Sequence, residues 1–184
     1  MAKFDTFKPT DTLAALIALQ QSEGSQDFQK EKNVTQCIVV LLGREQVAIP
    51  IRSIKEIIEV PKVTFLPNVP NYILGICSVR GEIISITDIR LMLGLKLHES
   101  KTRKELQKER VILLDGDRFV TGIVVDTVVE VLEIPFEDVE SSKNTLTGRL
   151  ADFSEGIYKE GGRILVVLNV NALLNSNELS QFNF

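Results

Sequence analysis

Ser53-Ile54-Lys55-Glu56-Ile57-Ile58-Glu59-Val60-Pro61 reads as hydroxyl, β-branched, variable, Glu, apolar, apolar, Glu, β-branched, Pro. Thr127-Val128-Val129-Glu130-Val131-Leu132-Glu133-Ile134-Pro135 repeats that pattern position by position, 74 residues later. A second pair of blocks follows. Tyr72-Ile73-Leu74-Gly75-Ile76 with Gly81-Glu82-Ile83-Ile84 matches Phe153-Ser154-Glu155-Gly156-Ile157 with Gly162-Arg163-Ile164-Leu165 at an offset of 81. The offset grows by 7, so the second copy carries about that many extra residues, placed at Ser141 to Asp152. Both copies end alike: Asp88-Ile89-Arg90-Leu91-Met92-Leu93 pairs with Asn169-Val170-Asn171-Ala172-Leu173-Leu174. Each of these reads as a cap residue followed by one or two helical turns.

Units this long are not a solenoid, whose repeats run roughly 20 to 50 residues. They are two copies of a small domain. The expected organisation is an N-terminal extension at 1–35, a first half at 36–95, a charged linker at 96–109, a second half at 110–175 and a tail at 176–184. Each half reads as β, because β-branched residues dominate short runs separated by turn residues. The first half offers strands at Gln36–Leu42, Gln46–Ile51, Glu59–Phe65, Leu74–Val79 and Ile83–Thr87. The second offers Arg110–Leu114, Arg118–Val125, Val128–Ile134, Gly156–Lys159 and Ile164–Leu168. Turn chemistry stands between them at Gly43-Arg44-Glu45, Asp115-Gly116-Asp117, Arg80-Gly81-Glu82 and Gly161-Gly162. Five short antiparallel strands close most economically into a small barrel, which removes exposed edges. The expected fold class is therefore mainly β, with two five-stranded barrel subdomains from an internal duplication and a few short helices. A half of about 60 residues is marginal alone, so the two should share a core.

Composition narrows the function. The chain has 184 residues and 44% hydrophobic content, enough for a core without disulfide or metal. Its two cysteines, Cys37 and Cys77, lie in apolar runs and read as buried thiols in a reducing compartment. The net charge of -4 lacks the basic face that nucleic acid needs. No run reaches the ~20 apolar residues of a membrane span. Leu13–Leu19 reads as a short N-terminal helix, capped at Thr10 or Asp11 and stopped near Gly24, or as a helix that docks on a partner.

Catalytic constellations are absent from this reading. There is no Gly-rich phosphate loop with its Lys and Ser/Thr, and no Cys or His cluster for zinc. The one histidine, His98, lies in the charged linker, where a solvated role is the plain reading. Carboxylates such as Glu130, Glu133, Glu137 and Asp138 sit where strand ends meet water. No catalytic residue, metal ligand or cofactor is expected, and binding functions lead.

The run Pro67 to Arg90, with Arg80-Gly81 and Asp88-Ile89-Arg90 inside it, resembles the signature of CheW-like chemotaxis adaptors. Gly122-Ile123-Val124-Val125-Asp126 and Arg163 to Asn169 match two further blocks, so the resemblance covers about Gln36 to Asn175. Ser78-Val79 stands where the family usually has Asn-Leu. The resemblance implies two SH3-like barrels and no enzymatic activity. It implies a cytoplasmic scaffold that binds the regulatory domain of a CheA-type histidine kinase and the cytoplasmic tip of methyl-accepting chemoreceptors. A related adaptor for a pilus-motility or phototaxis cluster is the alternative, with a β-scaffold hydrolase behind it.

Receptor contact is implied for Ile54, Glu56, Gly75, Val79, Arg80, Gly81, Gly122 and Val128. Arg80 offers five donors to a receptor helix, or anchors its own turn through Asp88, or does both. For Gly75 and Gly122 the bland reading is a bulge or a close backbone approach. Val47, Ile49 and Ile51 alternate along what reads as a strand edge; they are candidates for the kinase contact, or are core.

Overall fold

The computed structural model describes residues 34–96, 102–116, 119–142 and 145–182. The expected N-terminal helix and His98 lie outside the described residues.

Among the described residues ten strands run in chain order: β1 Val34–Leu42, β2 Glu45–Pro50, β3 Ile54–Glu59, β4 Ile73–Val79, β5 Glu82–Thr87, β6 Arg110–Asp115, β7 Val120–Val125, β8 Thr127–Pro135, β9 Ser154–Glu160 and β10 Arg163–Leu168. Helices are short: α1 Ile89–Met92, α2 Arg103–Leu106, α3 Arg149–Asp152, α4 Val170–Leu174 and α5 Asn177–Ser180. Asp88 and Asn169 cap α1 and α4, accepting from the backbone N–H groups of Arg90 and Ala172. The mainly β fold with two five-stranded sheets agrees with the expectation from the sequence.

One strand does not. Glu59–Phe65 was expected to be extended and paired, but β3 ends at Glu59 and only Thr64 pairs beyond it, through an isolated bridge to Ile76. Pro61 lacks an N–H and leads the chain off the sheet. The repeated motif is itself the strand, in both copies.

The sheets also cross the expected boundaries. One has the order β8-β1-β2-β10-β9, the other β3-β6-β7-β5-β4. Each takes β1-β2 or its counterpart β6-β7 from one repeat and three strands from the other. The sequential halves 36–95 and 110–175 are therefore not the two sheets. The cause is local. A single 3-10 turn at Ile51–Ser53 joins β2 to β3, and the single residue Asp126 joins β7 to β8. Neither connection folds its strand back as a hairpin. Interleaving lets each repeat bury apolar faces that about 60 residues could not cover alone. The described residues accordingly pack as one unit.

The two sheets follow one plan. Both have a parallel contact at the middle, β2 with β10 and β7 with β5, and are otherwise antiparallel. Both outer hairpins are crossed by a bridge, Thr64 to Ile76 and Glu140 to Ile157. A glycine beside each bridge makes the approach possible. A Cβ on Gly75 would lie 2.1 Å from the Thr64 carbonyl oxygen, and one on Gly156 would lie 2.4 Å from that of Glu140. Each sheet encloses its own apolar cluster: Cys77, Ile84, Ile86, Val111, Leu113 and Val124 in one, Cys37, Ala48, Ile134 and Val167 in the other.

Where the sheets meet, a buried ionic cluster ties four segments. Arg90 in α1 donates Nε and Nη2 to Asp88 at 2.7 Å each, and Nη1 to Glu109 at 3.2 Å and to Asp126. Asp126 also accepts from the backbone N–H of Gly43, in the β1–β2 turn, at 2.6 Å. Burial works against the guanidinium charge, but the hydrogen bonds and charges of Asp88, Asp126 and Glu109 outweigh it and hold the group above the ordinary arginine range. The segment from 176, expected as a C-terminal tail, packs in part on the body: Leu179 of α5 is buried, and Glu178 is held by Arg149 and by the hydroxyl of Tyr72, which donates to its carbonyl at 3.5 Å.

Candidate functional site

Strand β3 is one edge of its sheet, and the β4–β5 hairpin is the other. The sheet rolls until these edges face each other across an open mouth. Two ion pairs span it. Arg80 Nη2 donates to Glu56 Oε1 at 2.8 Å, and Lys55 Nζ donates to Glu82 Oε2 at 3.0 Å. Beside them an open groove is lined by Lys55, Glu82, Ile83, Ile84 and Val120. Ile83 is 57% exposed there, a large apolar side chain at the rim of a charged frame.

The structure thus brings together Ile54, Glu56, Val79, Arg80 and Gly81, five of the residues implied for receptor contact. Arg80 does not anchor its turn through Asp88; Arg90 occupies that carboxylate. Arg80 has a side chain 78% exposed and a backbone φ of 52°. Positive φ costs a non-glycine residue about 1 kcal/mol or more. The matching turn in the second copy shows what the backbone prefers: Gly161 and Gly162 stand at φ 57° and 82°, against 52° and 90° for Arg80 and Gly81. The first turn holds an arginine where glycine fits.

The other expected contacts fall elsewhere. Gly75 is buried inside β4 and Gly122 inside β7, where a Cβ would meet the Ile86 side chain at 2.6 Å and that of Val111 at 2.8 Å. Both fit the close-approach reading. Val128 is the second residue of β8 in the other sheet, two positions after Asp126, and is half-buried. Val47 and Ile49 are corrected outright. β2 is an inner strand, paired to β1 on one side and β10 on the other, and both side chains are fully buried. β2 has no free edge, and both side chains belong to the core. Ile51, in the 3-10 turn after it, is half-exposed.

Lys55, Glu82, Ile83 and Val120 were not singled out from the sequence, although the repeat places Glu82 opposite Arg163, a charge reversal legible in the alignment. Asp126 and Arg90 were read as separate signature blocks, and nothing in their spacing shows that they meet. No group of His, Cys, Asp and Glu that could hold a metal occurs among the described residues. Burial pushes the Cys37 thiol up to about 12 (Glu155 adds to it, Arg52 opposes), and Cys77 is raised by burial, so neither is a ready nucleophile.

The chain was compared with known proteins. The family model described as CheW-like domain matches residues 36–178. The chemotaxis protein CheW of Helicobacter pylori is 29% identical over 160 residues, which is 86% of this chain and 93% of that protein. The chemotaxis protein CheW of Treponema pallidum is 32% identical over 146 residues, covering 79% and 85%. The crystal structure of the scaffolding protein TtCheW from Thermoanaerobacter tengcongensis covers 85% of this chain and 96% of its own, with a TM-score of 0.71 at 22% identity, which shows a common fold. By the extent of the family match and the agreement of fold, this chain belongs to the CheW-like domain family.

Proposed function

We propose that this chain is a non-enzymatic scaffold adaptor for chemotaxis, joining the cytoplasmic tip of methyl-accepting chemoreceptors to the regulatory domain of a CheA-type histidine kinase. Arg80 carries the reading. It occupies a turn position that favours glycine, projects into solvent, and is aimed by Glu56. Strain that serves no fold purpose points to a contact outside the molecule.

The receptor face is then the mouth formed by Ile54, Glu56, Val79, Arg80 and Gly81, with the Ile83 groove beside it. Gly75 and Gly122 shape it from inside. Val128 contributes from the start of β8. Of the residues proposed for the kinase, Ile51 remains. Binding energy comes from buried area and shape at each surface, and multivalency in an array reinforces moderate affinities. The protein works in the cytoplasm beside membrane receptors; none of the described helices is long and apolar enough to cross a membrane.

Calorimetric titration tests this. The kinase regulatory domain should bind at micromolar affinity, about -8 kcal/mol. Arg80→Ala should weaken binding of the receptor tip and leave the kinase affinity unchanged. A folded protein that binds neither partner would end the adaptor reading.

A further inference from the structure

The duplication gives the molecule a second mouth, and its chemistry is different. Glu130 is the counterpart of Glu56, Gly161 of Arg80, Arg163 of Glu82 and Ile164 of Ile83. At the first mouth the guanidinium stands on the turn, mostly in solvent, and Glu56 takes only one of its edges. At the second the turn is bare Gly161-Gly162, and the guanidinium comes from strand β10. Arg163 donates Nη2 to Glu160, its cross-strand neighbour in the same hairpin, at 2.6 Å and Nη1 to Glu130 in β8, so both of its Nη groups are taken. Its side chain is 33% exposed, against 78% for Arg80. The hydrogen bonds of Glu160 and Glu130 hold it above the usual arginine range, so the clamp stays charged.

Formal charge follows the same division. Lys55, Glu56, Arg80 and Glu82 sum to zero at the first mouth, while Glu130, Glu160 and Arg163 leave one excess negative charge at the second. At the second mouth the counterparts of Lys55 and Arg80 are Val129 and Gly161, which offer no side-chain donor, and the nearby Lys159, opposite Ile164, is already paired with Glu140.

From this we infer that Arg163 is a specificity-determining residue: by pairing with Glu130 across the second mouth and with Glu160 inside its own hairpin it keeps its guanidinium from an outside partner, withholds the repeat-related copy of the docking site and makes the adaptor one-sided toward its receptor partner. The inference rests on the reading of the first mouth as the receptor face. It assigns the second mouth no partner.

Exchanging the two chemistries tests it, using the full chain and a soluble cytoplasmic-tip fragment of a chemoreceptor as probe. Val129→Lys with Glu160→Val, Gly161→Arg and Arg163→Glu rebuilds the first mouth's frame on the second. The number of binding sites per chain should rise from one to two. Val79→Glu with Glu82→Arg writes the clamp into the first mouth, and binding there should weaken about tenfold or more, the size of a lost charge-assisted contact. Denaturation midpoints check that each variant folds. A folded rebuilt protein that still binds one tip fragment would overturn the inference. So would wild-type affinity in the clamped variant. If the clamped variant does not fold, the rebuilt one decides alone. Failure of the unmodified chain to bind the fragment at all is a different result: it overturns the receptor-face reading itself.

Discussion

At the scale of single residues, three side chains carry separable consequences. Replacing Arg80 by glycine relieves the positive φ that its counterpart Gly161 accommodates. Stability should hold or rise by up to about 1 kcal/mol, while receptor-tip affinity falls. Urea denaturation and calorimetry on the same sample read both, and a joint loss would make Arg80 structural. Arg90 is the opposite case. It is buried with Asp88, Glu109 and Asp126 around it. Arg90→Ala leaves those carboxylates without their shared cation and should cost about 3–5 kcal/mol, a large part of a domain's stability. Cys37 sets an alkaline limit. Its thiol is raised from 9.0 to about 12 in the folded protein. Below pH 9 both states hold the proton and the contribution is constant. As pH rises from 9 to 12 the unfolded thiol ionises first, so stability falls by about 1.4 kcal/mol per pH unit from this group. Denaturation at pH 8 and 10 should show a steeper loss for the native chain than for Cys37→Ala.

At the scale of elements, the bridges on the outer hairpins are the sensitive joints. Gly75→Ala would drive a methyl into the Thr64 carbonyl at a φ of 140°, and should cost about 2 kcal/mol or more. Gly81→Ala meets no atom within 4 Å and carries only the backbone penalty of its φ of 90°. Thermal unfolding of the two variants should rank them in that order. The elements are also where the limits of sequence reading are plainest. Strands, turns and caps were legible because each is fixed by residues close in the chain: Gly-rich turns, β-branched runs, Asp88 and Asn169 ahead of helical turns. β3 was misplaced because Val60 to Phe65 is as apolar as a strand, and only the exit at Pro61 marks the end. Val47 and Ile49 stayed open between kinase contact and core, because alternation shows which residues share a face and cannot show whether a neighbouring strand covers the edge. The mouth was legible in part, since Arg80-Gly81 and Glu56 stand in the repeated blocks. Lys55 and Glu82 stand in the same blocks, but that they pair, and that Val120 lies beside them, follows only from the roll of the sheet.

At the scale of the whole molecule, the exchange of strands means that neither sequence half contains a sheet. The duplication itself could not reveal this, because the offsets of 74 and 81 are the same whichever repeat supplies each partner. Fragments 1–96 and 102–184, made separately, should each lack the far-UV signature and dispersed NMR spectrum of a folded β protein. Mixed together they should regain both. A stably folded 1–96 fragment would contradict the interleaved architecture. The exchange has a further meaning. Two identical repeats trading strands in this manner would be a swapped homodimer, dependent on concentration and bound by strict symmetry. Tethering them through residues 96–109 makes the pairing intramolecular, at an effective concentration on the order of millimolar. It also frees the two copies to diverge. In a homodimer every substitution appears at both mouths. In the tethered chain Arg80 can face Gly161, and Glu82 can face Arg163, so that one ancestral surface becomes a front and a back.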